Sequence, residues 1–221
     1  MVTRWILSIF LVAAGPSVAE NTAESAAENA EGRLPVHIGL SCADATLALT
    51  LQGESGRLFF SGAEMPMARA RSASGVKFDS IDDPETHVWT KGDEAMVRIA
   101  GQDLKGCRVD RVSRVTETQW QMVRLDGAQI EATPAELTFE ADGTLSGQAG
   151  CDRLTGSWAA PEAGALTLAV DASRADGCPA EDAARGEALL AAMQELTSIG
   201  FSAEGELELR AGDVTRLTAT H

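Results

Sequence analysis

From residue 34 onward, apolar and polar residues alternate with a period of two in short segments, a pattern that predicts strands with one buried face. In the first half of the chain the alternation is clearest at residues 47–51 and 97–99, and glycine-containing turn signals separate the segments. No helical period is sustained in this half. Short strands with turns at this spacing indicate a small antiparallel sandwich or barrel.

The second half, from Trp120, alternates in the same way at residues 137–139, 166–170 and 207–209. Hairpin-type turn dipeptides separate these segments. They are Asp126-Gly127, Asp142-Gly143, Glu204-Gly205 and Gly212-Asp213. We therefore expect an antiparallel sheet here as well.

One segment of the second half has a helical pattern instead. Pro179 predicts its start, and Leu189, Met193 and Leu196 recur at helical spacing. Gly200 predicts its end, since glycine commonly follows the last turn of a helix. The second half is thus predicted to be mostly sheet with one helix packed against it.

The N-terminal segment has the pattern of a secretory signal peptide at residues 1–19, with Arg4 before a short apolar run and small residues at the predicted cleavage site. Residues 20–33 contain no large apolar residue, so we expect this segment to be a flexible leader. No cysteine follows the cleavage site, so we expect no lipid anchor. The predicted location is the periplasm or the outside of the cell.

Charged residues are distributed unevenly along the chain. Residues 34–111 hold 9 Lys or Arg against 11 Asp or Glu, whereas residues 112–221 hold 7 against 18. This difference predicts two domains, at 34–111 and 118–221, joined by a linker at 112–117. The net charge of −15 disfavours nucleic acid and anionic membranes as partners. It suits either a basic protein partner or simple solubility.

Four cysteines in an exported chain predict disulfide bonds. They are Cys42, Cys107, Cys151 and Cys178. Three pairings are possible, and we prefer Cys42–Cys107 with Cys151–Cys178, because each bridge then stays within one half. Their wide spacing disfavours a redox or metal site.

Metals and cofactors are not predicted. The histidines His37, His87 and His221 lack ligand spacing to any cysteine, which disfavours zinc. The acidic run at residues 82–85 could suggest calcium, but it has no regular ligand spacing and contains a proline, so a turn is the preferred interpretation. We expect the tryptophans Trp89, Trp120 and Trp158 to be core residues.

Two glycine-containing motifs lie between the first two cysteines: SGVKF at residues 74–78 and KGDEA at residues 91–95. Each has the pattern of a loop between two strands. We expect the loops to form a binding edge that presents Ser74 and Lys91. The alternatives are a solvated loop lysine and a turn serine that bonds its own backbone.

With these motifs, residues 35–111 resemble the periplasmic and membrane-bound inhibitors of c-type lysozyme, the MliC/PliC family. The resemblance implies an eight-stranded antiparallel barrel whose two loops enter the lysozyme cleft. The residues that it assigns to lysozyme binding are Ser74, Gly75, Phe78, Lys91, Gly92 and Ala95. Phe78 stands where the family motif has tyrosine. We interpret Phe78 as a core residue or a support for the first loop, and Ala95 as packing beneath the second.

The second half resembles a META domain of the type found in HslJ-like envelope stress proteins, over about residues 118–219. The resemblance rests on Trp120, on residues 146–153 and 156–158, and on Cys178 with the helix after it. It implies an α+β fold. Asp152 stands where the family usually has Asn, and Arg174 where it usually has Thr. We expect Asp152 to lie in a structural turn after its bridged cysteine.

Together these features favour a non-catalytic exported inhibitor of c-type lysozyme, and no serine–histidine–acid arrangement, phosphate loop or dinucleotide fingerprint suggests an enzyme. In that hypothesis Lys91 pairs with a catalytic carboxylate and Ser74 donates a hydrogen bond. The alternative is a cell-envelope stress or scaffold protein that binds other envelope partners through its META-like half.

Overall fold

The computed structural model describes residues 33–116, 118–130 and 134–221. The predicted signal peptide and the leader up to residue 32 lie outside these residues. Within them, the first half forms strands β1 (Val36–Ser41), β2 (Thr46–Gln52), β3 (Ser55–Phe60), β4 (Ala63–Ala70), β5 (Val76–Ser80), β6 (His87–Lys91), β7 (Glu94–Ile99), β8 (Gln102–Asp103) and β9 (Arg108–Arg114).

Eight of these strands close into an antiparallel barrel. Strands β1 to β6 pair in chain order, β6 pairs with β7, and β9 completes the ring between β7 and β1. The short β8 pairs with β7. Closure pairs every strand of the ring on both sides, which removes exposed sheet edges. The structure therefore confirms the barrel and the mainly β fold class.

The barrel interior is filled by the side chains that alternate inward. Its buried apolar cluster consists of Ile38, Leu40, Leu47, Leu49, Leu58, Met67, Phe78, Val88, Ala95 and Val97. A disulfide joins Cys42 to Cys107. It closes a loop of 65 residues between the first and last parts of the barrel, a constraint that contributes about 4 kcal/mol in the chain-entropy model.

The second half forms one sheet and one helix. The strands are β10 (Gln119–Leu125), β11 (Ala128–Gln129), β12 (Ala135–Phe139), β13 (Thr144–Ala149), β14 (Asp152–Ala159), β15 (Thr167–Arg174), β16 (Ser198–Phe201), β17 (Leu207–Ala211) and β18 (Val214–Thr220), with helix α1 at Ala180–Gln194. The order across the sheet is β15-β14-β13-β12-β10-β18-β17-β16, and β11 pairs with β10. All pairs are antiparallel, so the prediction of a sheet with a single helix is confirmed.

Helix α1 begins as predicted, with Pro179 at its N-cap position and acidic residues in its first turn. The prediction of its end is wrong. The helix stops at Gln194, and Gly200 lies within β16, where the Arg210 guanidinium occupies the space that a side chain would need. Leu196 is buried just beyond the helix. Apolar residues recur at helical spacing beyond the end of the helix because the residues that follow it are buried in the same core.

The connections of the second half match the predicted turns. Asp126 and Gly127 both have positive φ, at 49° and 77°, between β10 and β11. This is the two-residue turn that favours Asp-Gly. A disulfide joins Cys151 to Cys178, so the preferred pairing within each half is confirmed. Strand β9 continues to Arg114, so the first three residues of the predicted linker are strand; the domain boundaries themselves stay a prediction.

Side chains of the barrel cover the edge of the second sheet. Strand β16 is the last strand of that sheet. The Gln52 amide donates to the Ile199 carbonyl at 3.3 Å, and the Arg57 guanidinium donates to the Phe201 carbonyl at 3.5 Å. Arg33 donates to the carbonyls of Ala160 and Pro161. Gln52 and Arg57 thereby give hydrogen-bond partners to carbonyls of the edge strand, and together with Arg33 they bind the two halves to each other.

His37 of β1 is buried where the halves meet. Its side chain is 3% exposed, its ring centroid lies 6.0 Å from that of Phe201, and Gly205 packs directly against it. Its Nδ1 atom is buried without a hydrogen-bond partner in the described part of the chain. Burial lowers the pKa of His37 below its ordinary value; Arg111 lowers it further and Glu204 opposes the shift.

This burial predicts a stability change near neutral pH. The unfolded chain takes up a proton on this imidazole below about pH 6.5, whereas the folded protein resists it, so folding stability is lost as the pH falls through that range. We expect the melting temperature to fall from about pH 7.5 to about pH 5.5, and to fall less in a His37→Gln variant. Thermal unfolding followed by circular dichroism measures both. An equal fall of the melting temperature in the parent protein and in His37→Gln would contradict the assignment of this pH dependence to His37.

Candidate functional site

The two motif loops leave the same end of the barrel. Strands β5 and β6 are hydrogen-bonded neighbours, with Val76 opposite Thr90 and Lys77 opposite Trp89. The loop at residues 71–75 precedes β5, and the turn after Lys91 follows β6. Because the strands are antiparallel, the start of one lies beside the end of the other. The structure thus brings the two motifs together.

The contact between the loops depends on a glycine. Gly75 has φ of 71°, and a Cβ atom at this position would overlap the Thr90 carbonyl oxygen and lie 3.0 Å from the Lys91 Cβ. Only a residue without a side chain allows both the left-handed backbone and this close approach. The first loop therefore rests directly on the backbone that carries Lys91.

Hydrogen bonds fix the conformation of the first loop. The Trp89 indole Nε1 donates to the Ser74 carbonyl oxygen at 2.8 Å, and the Ser72 hydroxyl donates to the same oxygen at 2.6 Å. The Ser72 hydroxyl also lies 3.2 Å from the Gly75 carbonyl oxygen. It is therefore Ser72, rather than Ser74, whose hydroxyl bonds the loop backbone. Within the described residues the Ser74 hydroxyl has no such partner, and Ser74 is exposed.

Lys91 is the exposed cation of the second motif. It is the last residue of β6, and the described residues contain no ion pair that involves its ammonium group. Gly92 follows with φ of 59°, and nothing lies within 4 Å of the position of a Cβ there. The turn thus begins at an exposed lysine, and there is open space beside Gly92.

The other two residues assigned by the family motifs lie inside the barrel. Phe78 is 1% exposed and Ala95 is 9% exposed, and both belong to the core cluster. They support the loops from beneath, as interpreted from the sequence, and present no surface to a partner. Of the six assigned residues, four are exposed: Ser74, Gly75, Lys91 and Gly92.

The prediction that all three tryptophans are core residues is wrong for Trp89. Trp120 and Trp158 are buried, but Trp89 is half-exposed on the outer face of the barrel, opposite Lys77 and Met96. Its neighbour Val88 takes the inward position, so strict alternation places Trp89 outside. The alternation along β6 could therefore have predicted that Trp89 lies on the outer face. No pattern in the sequence predicts the hydrogen bond from Trp89 to the Ser74 carbonyl, because it joins two segments that are distant in sequence.

Two protein-family models match the chain, one in each half. Residues 41–105 match the family model described as membrane-bound lysozyme-inhibitor of c-type lysozyme, and residues 113–221 match the model described as META domain. The chain joins an inhibitor-like half to a META-like half. No curated protein and no solved structure matches the chain. Among the described residues, no helix is long and apolar enough to cross a membrane.

The two departures from the META pattern contact each other. Asp152 and Arg174 are cross-strand partners in β14 and β15. The guanidinium donates to both carboxylate oxygens, at 2.8 and 2.9 Å, and also to Glu187 of α1 at 3.0 Å. These hydrogen bonds lower the pKa of Asp152. Gly186 of α1 leaves room for the carboxylate.

Asp152 therefore lies in a strand, and the prediction of a turn at this position is wrong. Its side chain is 4% exposed, so the carboxylate needs a charged partner, and Arg174 supplies one. We therefore expect the two departures from the family pattern to compensate each other. Their role is structural, because the pair ties β14, β15 and α1 together. The described residues contain no group of acidic, histidine or cysteine side chains that could hold a metal ion.

A comparison of two glycines tests the contact between the loops. Alanine at either Gly75 or Gly92 must adopt positive φ, which costs about 1–2 kcal/mol. Only at Gly75 does the new methyl group also overlap the Thr90 carbonyl. We expect Gly75→Ala to lose more free energy of unfolding than Gly92→Ala in urea denaturation. Equal losses would mean that the loops do not rest on each other.

A second test concerns the acid–arginine pair. We expect Arg174→Ala to lower the free energy of unfolding at neutral pH, because it leaves the Asp152 carboxylate without its partner. The double variant Asp152→Asn with Arg174→Thr removes both charges and should lose less. Arg153→Ala is the control, because Arg153 is an exposed arginine next to Asp152 in β14. A double variant less stable than Arg174→Ala would contradict compensation.

Proposed function

We propose that this protein inhibits c-type lysozyme by inserting the loops that carry Ser74 and Lys91 into the active-site cleft. The observation that supports the proposal is their arrangement: two loops side by side at one end of the barrel, with an exposed ammonium group that has no ion-pair partner in the described residues. The match of residues 41–105 to the lysozyme-inhibitor family model supports the same conclusion.

The chemistry of the target suits these groups. Glycosidases of this kind carry two carboxyl groups that face each other across the cleft. The Lys91 ammonium can pair with an ionised carboxylate, and the Ser74 hydroxyl can donate a hydrogen bond to a carboxyl oxygen. In a cleft from which water is excluded, hydrogen bonds to charged groups contribute about 1.5–3 kcal/mol each. Occupying the acid pair prevents it from acting on the substrate.

Rigidity of the loops supports tight binding. The closed barrel, the Cys42–Cys107 disulfide and the hydrogen bond from Trp89 to the Ser74 carbonyl hold the loops in place before the partner arrives. A loop that is already ordered loses little conformational entropy on binding.

Net charge favours the encounter with a basic enzyme. The chain carries −15, and most of the excess lies in the META-like half. A long-range field of this sign raises the association rate with a basic lysozyme. We further propose that the protein acts in the periplasm after removal of residues 1–19, and that it acts by binding and not by catalysis.

The direct test is lysozyme turnover on a cell-wall substrate with and without the protein. We expect inhibition by the parent protein and at least a tenfold weaker inhibition by Lys91→Ala, since the variant loses a charge-assisted contact of about 1.4 kcal/mol or more. Lys105→Ala is the matched control, because Lys105 is an exposed lysine that lies outside both motifs, between β8 and β9. Melting temperatures should stay nearly equal.

Two results would contradict the proposal. Undiminished turnover at micromolar excess of the parent protein would exclude inhibition and favour the envelope scaffold function. Equal inhibition by Lys91→Ala and Lys105→Ala would remove Lys91 from the site.

A further inference from the structure

The barrel end that carries the two loops also carries a second cation without a partner. Arg69 pairs with Glu54 at 3.8 Å, and Lys77 pairs with Asp79 at 2.8 Å. Arg71, in the loop before β5, is exposed, and no ion pair or hydrogen bond of its guanidinium occurs in the described part of the chain. Arg71 on the first loop and Lys91 on the second are therefore two cations of this end that have no ion-pair partner among the described residues.

Arg71 lines a cavity of about 430 Å³ beside the Ser74 loop. Its polar lining comes from Glu54, Arg69, Arg71, Ser72, Gly75 and Lys77. Three of these six residues are cationic, in a protein with a net charge of −15. The Arg71 guanidinium, which has no acidic partner among the described residues, favours an anionic group at this place.

The register of the strands sets the distance between the two free cations. Ala70 lies opposite Lys77, so Arg71 follows at the level of Val76, and Val76 lies opposite Thr90, which precedes Lys91. Two inter-strand spacings therefore separate their backbones, about 10 Å. Both side chains are long and flexible. They can reach carboxylates that are about 5–10 Å apart, the range found across glycosidase clefts.

We propose that Arg71 is a second cationic contact of the inhibitor, and that the cavity it lines receives a carboxylate of the lysozyme cleft other than the one that pairs with Lys91. This inference rests on the proposed function. It extends the site beyond the two motifs, since Arg71 belongs to neither. The ligand class is a protein carboxylate, held between a guanidinium and the Ser72–Gly75 loop.

Arginine suits this role better than its neighbours do. A guanidinium presents paired N–H donors that match both oxygens of a carboxylate, so the contact is directional as well as electrostatic. Arg69 and Lys77 would have to leave their acidic partners to bind a new one, whereas Arg71 breaks no ion pair. Arg71 is thus the residue of the cavity that binding engages first.

The test is the dissociation constant for c-type lysozyme, measured by titration calorimetry on the full chain. We expect Arg71→Ala and Arg71→Gln to bind at least tenfold more weakly than the parent, and Arg71→Lys to lose less. Arg153→Ala, an exposed arginine of the META-like half, is the control and should bind as the parent does. In the double variant Arg71→Ala with Lys91→Ala, the losses of binding free energy should add, because the two cations bind different carboxylates.

The outcomes separate this inference from the function on which it rests. If the parent binds and Lys91→Ala weakens binding, but both Arg71→Ala and Arg71→Gln bind like the Arg153→Ala control, Arg71 is not a contact and this inference alone is overturned. If the parent does not bind lysozyme, the proposed function fails as well. A weaker salt dependence of binding in Arg71→Gln than in Arg153→Ala would support the assignment independently of folding effects.

Discussion

The close approach of Gly75 to the backbone of Thr90 is the constraint on which the candidate site depends. It places the first loop against the strand end that carries Lys91, so that two segments separated in sequence form one edge. The antiparallel pairing of β5 with β6 makes this approach possible, because the two strands are hydrogen-bonded neighbours up to Val76 and Thr90. The indole of Trp89 then holds the Ser74 carbonyl from the outer face.

Side chains of the barrel half bond backbone groups of the META-like half where the two halves meet. The amide of Gln52 and the guanidinium of Arg57 satisfy carbonyls on β16, the edge strand of the second sheet. An open edge of that length would otherwise be a place for aggregation. His37 is buried in the same interface, and its burial lowers its pKa. The connection between the halves therefore combines hydrogen bonds from Gln52 and Arg57 with the aromatic contact of His37 and Phe201.

Much of the fold could be predicted from the sequence, because its signals are local. Alternation with a period of two marks the strands, and Asp-Gly pairs mark the turns. The exported character of the chain and the position of one cysteine near each end of the barrel favoured the Cys42–Cys107 bridge. Ser74 and Lys91 could be named because glycine beside a polar residue between two strands is itself a local pattern. Their exposure follows from the loop, and the structure agrees.

What the sequence did not reveal depends on register between distant segments. Asp152 and Arg174 are unremarkable separately, and their pairing appears only when β14 and β15 are aligned. The place of Gly200 in β16 depends on Arg210, which crosses it from the neighbouring strand. Arg71 could not be distinguished from Arg69, because which of the two has an acidic partner is decided by the position of Glu54 on the β2–β3 turn.

Hydrogen exchange of the protein in the presence of c-type lysozyme tests the central claim most directly, because it reports which backbone segments the partner covers. The account predicts slowed exchange at residues 71–76 and 89–94, and unchanged exchange at residues 81–86, which connect β5 to β6 at the opposite end of the barrel. Slowed exchange at residues 81–86, or only within the META-like sheet, would contradict it.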